Sequence, residues 1–287
     1  MLFSRRTGTR RIGFPVLRPS VVKSSPNGKP ACSASPLLLR AAAILLATNA
    51  VWVATLIAQE HESAHWSYDG QTGPSHWGDL SVDFAPCKSG HRQSPIDIEA
   101  AQKAELPAIQ FDYKDTPLHI IDNGHTILIN YAPGSSIRVG GKRYELKQFH
   151  FHRPSEEKIK GKRYDMVVHL VHVAQDGSGA VVAVLLQQGG DNALIDELWE
   201  DLPNQKNKEE LLDNVQINVS TLLPADRSYY TFPGSLTTPP CTENVTWYVL
   251  KRPVTVSAAD IREYSKLYRD DARPTQPSYD RVVRESR

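Results

Sequence analysis

Near the middle of the chain, Gln148-Phe149-His150-Phe151-His152 sets two histidines two positions apart. On a β-strand that spacing points both side chains to one face, so the two imidazoles look at the same point. A third histidine, His169, ends the run Met166-Val167-Val168-His169. A turn around Lys160-Gly161-Lys162 makes this run the return strand of an antiparallel pair, able to carry His169 across from the other two. Three neutral imidazole nitrogens at one point suit zinc, and three protein ligands leave a fourth tetrahedral position open, as in a catalytic site. A metal there lowers the pKa of bound water toward neutrality and so makes a hydroxide nucleophile. A His-x-His pair alone reads equally well as two polar residues on a solvated face; the apolar walls of Phe149, Phe151, Leu170 and Val171 favour the metal. His172, three positions from His169, points the other way on a strand and reads as structural.

The elements that must position these residues are mostly strands. Runs rich in Val, Ile and aromatic residues extend over Leu118 to Tyr131, Ser136 to Phe151, Arg163 to Val173, Ala180 to Gln188 and Val245 to Leu250. Helical patterns are fewer and shorter: Asn192 to Leu202, Lys208 to Val215, and Ser257 to Tyr268, where Ser257 is a natural N-cap with Asp260 three residues on. Strands that outnumber the helices and do not alternate with them predict a β-dominated α+β fold.

The 287 residues are 40% apolar and 23% charged, which suits a globular chain and excludes both wholesale disorder and a multi-span membrane protein. Charge is unevenly spread. Residues 1–58 carry eight Lys/Arg and no Asp/Glu, whereas the remainder carries 25 Lys/Arg against 32 Asp/Glu. The part that holds the histidines is therefore acidic, and nucleic acid is not an expected partner. Residues 1–40 read as a basic, disordered leader. Ala41 to Ala58 is uncharged, follows Arg40 and precedes the polar run Gln59 to Glu62. It reads as the apolar region of a secretory signal peptide, with a short membrane anchor as the alternative. The expected location is outside the cytoplasm, periplasmic or extracellular. Cys32 falls in the leader, which leaves Cys87 and Cys241 in the exported part, either bridged or as two buried free thiols. A bridge would close a loop of more than 150 residues, for which chain entropy gives about 4 to 5 kcal/mol of stabilisation.

From about His65 to Arg281 the chain resembles the α-class carbonic anhydrases, in particular the exported bacterial type. The resemblance rests on motifs in order: His65-Trp66-x-Tyr68, Gln93-Ser94-Pro95-Ile96-Asp97-Ile98, Asn123-Gly124-His125, the Gln148 to His152 segment, Ser155-Glu156, His169 to His172, Gly234 to Pro240, Val245-Thr246-Trp247 and Ala272-Arg273-Pro274-x-Gln276-Pro277. It implies one domain, residues 59–287, on a large central, mostly antiparallel twisted sheet with short peripheral helices. It implies reversible hydration of carbon dioxide to bicarbonate and a proton, with Zn2+ on His150, His152 and His169. Thr237 would orient the hydroxide and hydrogen-bond to Glu156, and His125 would shuttle the proton. Val171, Val181, Leu236, Val245 and Trp247 would wall the carbon dioxide pocket, with Thr238 beside them. Tyr68 would order water, and Gln148 would hold His150. Cys87 and Cys241 match positions bridged in exported members. A non-catalytic binding module on the same fold is the competing reading, and the intact histidine triad counts against it; a zinc esterase is a third. Two departures stand out. Where the resemblance implies a glutamate two residues before the third ligand, this chain has Val167, so another acceptor must orient His169 or its ligation is weakened. Leu128 stands where a polar residue usually follows the shuttle.

Overall fold

Alternate positions decide the strands. In β1 (Thr116–Asp122), Thr116, Leu118, Ile120 and Asp122 are buried while the residues between them are half-exposed. At Asn123-Gly124 the chain reverses: Gly124 takes a φ of 83°, and the Asn123 side chain accepts from the N–H groups of His125 and Thr126. The run Leu118 to Tyr131 is thus a hairpin of β1 and β2 (Ile127–Asn130). Gly140 and Gly141, both at positive φ, likewise divide the next run into β3 (Ser136–Val139) and β4 (Lys142–His152). β5 (Met166–Ala174), β6 (Gly179–Gln188), β7 (Glu209–Ile217), β8 (Tyr229–Ser235) and β9 (Glu243–Leu250) complete the long strands.

These strands lie in the order β7-β1-β2-β4-β5-β6-β9-β8, continued by short strands at Arg284–Glu285 and Gln102–Lys103, in a sheet of thirteen. Neighbouring long strands run antiparallel except β6 and β9, which are parallel. The β-dominated α+β expectation therefore holds. The structure is a computed structural model and describes residues 64–287. The basic leader, the apolar stretch 41–58 and Cys32 lie outside the described residues.

Two helices, α1 (Ala193–Glu200) and α2 (Ala258–Leu267), are capped by Asn192 and Ser257, whose side chains accept from the N–H groups of Ile195 and Asp260. Lys208 to Val215 is not a helix. That segment belongs to β7, which pairs with β1 from Glu209 opposite Ile121 to Ile217 opposite Thr116. Leu211, Leu212 and Val215 carry a helical spacing, but the bare edge of β1 offers backbone partners along the whole segment, and pairing there overrides local preference. A bulge between Leu212 and Gln216 keeps Leu212 and Val215 on the inner side despite their odd spacing.

The central strands separate two apolar layers. On one face Phe149, Phe151, Val168 and Leu170 join Leu198 of α1 and Tyr264 of α2. On the other, Val167, Val181, Val245 and Trp247 pack with Ile96 and Ile98. His169 lies between Val167 and Val171 in the alternation of β5 and so shares the second face.

Candidate metal centre

Register places the histidines. In the antiparallel ladder of β4 and β5, His150 is directly opposite His169, and His152 follows His150 on the same face. The ring centroids of His150, His152 and His169 lie 4.8 to 5.4 Å apart, and one ligand atom from each falls within 4.8 Å of the others. His152 and His169 are buried and His150 is half-buried. Burial, then the neighbouring rings His152 and His169, pushes His150 well below the usual imidazole range; burial, then His152, does the same to His169. Neutral rings are the form that ligates metal.

Each ring has one nitrogen occupied by an acceptor. His150 Nδ1 bonds Gln148 Oε1 at 2.8 Å, and His152 Nδ1 bonds the backbone carbonyl of Asp271 at 2.8 Å. His169 Nε2 bonds Glu157, 3.0 Å to Oε1 and 3.3 Å to Oε2. Burial pushes the Glu157 carboxyl up to about 7; with Glu157 ionised all three partners accept, those nitrogens carry the protons, and lone pairs are left on His150 Nε2, His152 Nε2 and His169 Nδ1. His152 Nε2 is buried with no hydrogen-bond partner among the described residues. A buried acceptor left bare is costly, and a cation shared by three convergent lone pairs satisfies it. The donor set fits zinc.

Beside the cluster, Glu156 is fully buried. Its Oε1 accepts the Arg273 backbone N–H at 2.8 Å, and Oε2 lies 3.6 Å from His152 Nε2 and 3.8 Å from His169 Nδ1. Burial and the Glu157 carboxylate push Glu156 up to about 8, opposed by the Thr237 hydroxyl and the Arg273 N–H. A dication at the histidines acts in the same opposing direction.

Thr237 sits in a loop held from several sides. The Leu236 N–H donates to Thr242 O at 3.0 Å and the Cys241 N–H to Thr238 O at 2.8 Å. Cys241 is bridged to Cys87, 154 positions away. The Arg273 guanidinium donates to the Cys87 and Ser94 carbonyls and to Gln93 Oε1, and Gln93 Nε2 donates to the Cys241 carbonyl. One buried arginine thus ties the bridge to Glu156.

The apolar residues singled out in the sequence come together. Val171 faces Val181 across β5 and β6, Val181 faces Trp247 across β6 and β9, and Leu236 and Val245 pack in the same cluster. Trp247 meets the His169 ring edge-on at 4.9 Å. Gly234 permits this packing, since a Cβ there would lie 2.6 Å from the Trp247 ring and 2.2 Å from Ser94 Oγ. His125 is half-buried and stacked on Trp66, centroids 3.7 Å apart; it borders an open cavity with Trp66, Tyr68 and Asp271. Burial, then His65 and Lys206, lowers its pKa. The Tyr68 hydroxyl is buried with no partner among the described residues. Leu128 is opposite His150 on β2. His172 faces away, its Nε2 2.9 Å from the Tyr113 hydroxyl.

Three supporting groups were not singled out in the sequence. Arg273 lies within a quoted motif, and Glu157 adjoins Glu156, but the Asp271 carbonyl leaves no trace in residue identity because any residue supplies one.

Comparison with known proteins matches the family model described as eukaryotic-type carbonic anhydrase over residues 72–287. A protein of Nostoc sp. described as carbonic anhydrase is 41% identical over 230 residues, covering 78% of this chain and 87% of its own. A hyperthermostable carbonic anhydrase from an active hydrothermal vent chimney matches with a TM-score of 0.76 at 46% identity, covering 78% of this chain and all of its own. The α-carbonic anhydrase of Thermovibrio ammonificans, solved with the inhibitor sulfanilamide, matches with a TM-score of 0.74 at 38% identity, covering 78% and 99%.

Proposed function

The chain belongs to the eukaryotic-type, or α, carbonic anhydrase family, and from that premise we propose that it hydrates carbon dioxide reversibly to bicarbonate and a proton, with zinc held by His150 Nε2, His152 Nε2 and His169 Nδ1. The observation that carries this reading is the convergence of three buried or half-buried lone pairs whose opposite ring nitrogens are all occupied. Bound there, zinc supplies a Lewis acid with an open position and lowers the pKa of water to about 7, a figure taken from carbonic anhydrase itself rather than derived from this geometry.

The chain's own groups do the rest. Glu156, when ionised, can only accept, and its buried Oε2 has no hydrogen-bond partner among the described residues; the Thr237 hydroxyl would donate to it and so turn its own lone pairs toward the histidine cluster. That orientation limits which groups Thr237 can hold and in what direction. Val171, Val181, Leu236, Val245 and Trp247 exclude water and receive an uncharged substrate, and Thr238, in the loop after Leu236, meets bicarbonate. Each turnover releases a proton. His125, half-buried at the cavity edge, takes it on a ring nitrogen and passes it to solvent, and the Tyr68 hydroxyl, which has no partner among the described residues, orders water along the way.

We place the protein outside the cytoplasm, supported by the basic and apolar leader and by a buried Cys87–Cys241 bridge that needs an oxidising compartment. No helix of the described residues is long and apolar enough to cross a membrane. The decisive experiment is stopped-flow carbon dioxide hydration together with metal analysis. One zinc per chain, chelator-sensitive activity and sulfonamide inhibition are expected; background hydration by a zinc-replete sample would overturn the reading.

A further inference from the structure

The Val167 side chain has no group that can accept a hydrogen bond, and it is fully buried against Ile96 and Ile98. The third histidine of the cluster is nevertheless held. We propose that Glu157 is the positioning residue for His169, a carboxylate delivered from the loop after β4 in place of one carried two residues upstream on β5. This rests on the metal reading above.

Four observations carry it. Glu157 is fully buried and His169 is 1% exposed, so water does not compete for their contact. Both carboxylate oxygens approach the single Nε2–H, at 3.0 and 3.3 Å. The loop is fixed: Ser155 Oγ donates to the Glu157 carbonyl at 2.8 Å and accepts the Tyr164 N–H at 2.9 Å. Immediately beyond, Lys158 and Ile159 pair with Asp97 and Ile98 in a two-stranded sheet. A carboxylate on the far nitrogen of a ligating imidazole fixes its tautomer and raises its basicity.

The placement has a consequence that a carboxylate on β5 would not. Glu156 and Glu157 are adjacent in sequence and address opposite edges of one ring, Glu156 Oε2 at 3.8 Å from Nδ1 and Glu157 at Nε2. Orientation of the third ligand and orientation of the Thr237 partner therefore pass through a single peptide unit.

The test uses the zinc-loaded full chain and reads zinc release into excess chelator. Glu157→Gln releases zinc about 10- to 100-fold faster than wild type, and its cobalt-substituted form shows a shifted visible spectrum. Glu157→Asp, which keeps the charge but withdraws it by one methylene, lies between. Adding Val167→Glu to Glu157→Gln restores slow release. Melting of the metal-free chains separates positioning from folding: a lower melting temperature in Glu157→Gln with unchanged zinc release would make Glu157 merely structural and overturn the proposal. Failure of Val167→Glu to slow release in a folded double variant also counts against it. A wild-type chain that retains no zinc overturns the metal reading, and this role with it; unchanged release from Glu157→Gln overturns the role alone.

Discussion

At the scale of single residues, polar groups around the histidines divide into those that hold rings and those proposed to act on substrate. Gln148, the Asp271 carbonyl and Glu157 each occupy one imidazole nitrogen, so replacing Gln148 or Glu157 is expected to act first on metal retention. Thr237 does not touch a ring nitrogen in this way. Thr237→Val removes the donor proposed for Glu156 while conserving volume, and kcat/KM is expected to fall by about 100-fold with zinc content unchanged; metal analysis beside stopped-flow kinetics checks both halves. His125 is proposed to act only on the proton. His125→Ala should slow steady-state hydration in weak buffer by up to about 100-fold, and added imidazole should recover much of the loss. Unchanged turnover of that variant in weak buffer would remove His125 from the mechanism.

At the scale of elements, β5 carries chemistry on one face and structure on the other. His169 joins the cluster while His172 is buried against Tyr113 and the Ala180 carbonyl, and burial pushes its pKa down to about 3. The folded chain therefore holds His172 neutral where the unfolded chain, with an ordinary pKa near 6.5, takes up a proton. Stability from this residue is full above about pH 6.5 and is lost as pH falls toward 3, at up to about 1.4 kcal/mol per pH unit. In urea unfolding between pH 6.5 and 4, His172→Gln should lose stability less steeply than wild type. Parallel slopes would show that His172 does not contribute. At β7 local spacing and tertiary pairing disagree: apolar spacing within a segment is a local property, whereas its partner, the open edge of β1, lies about ninety residues earlier in the chain.

At the scale of the whole molecule, the Cys87–Cys241 bridge joins the N-terminal segment of the described residues to the loop that carries Thr237. Closing a loop that long contributes about 4 to 5 kcal/mol by chain entropy, and Cys87→Ser should lower unfolding stability by about that amount. The bridge also restrains Leu236 to Thr242, so hydration should weaken in the same variant at temperatures where the chain is still folded. Masses of the untreated and reduced wild type should differ by two hydrogens.

Much of the site was legible in the sequence because it is local or carried by residue type. His150 and His152 follow from a period of two along one strand, and Gln148 lies on the same face two residues earlier. The ordered motifs named the family, and the apolar residues proposed for the pocket came with it. Tertiary structure decided what depends on distant chain segments: that His169 is in register with His150, that the Asp271 backbone holds His152, that Arg273 links the bridge to Glu156, and that Lys208 to Val215 joins a sheet edge. It also answered the question raised by Val167. A side chain's type shows that it can accept a hydrogen bond, but only the folded path of the loop from Ser155 to Ile159 brings the Glu157 carboxylate to His169 Nε2.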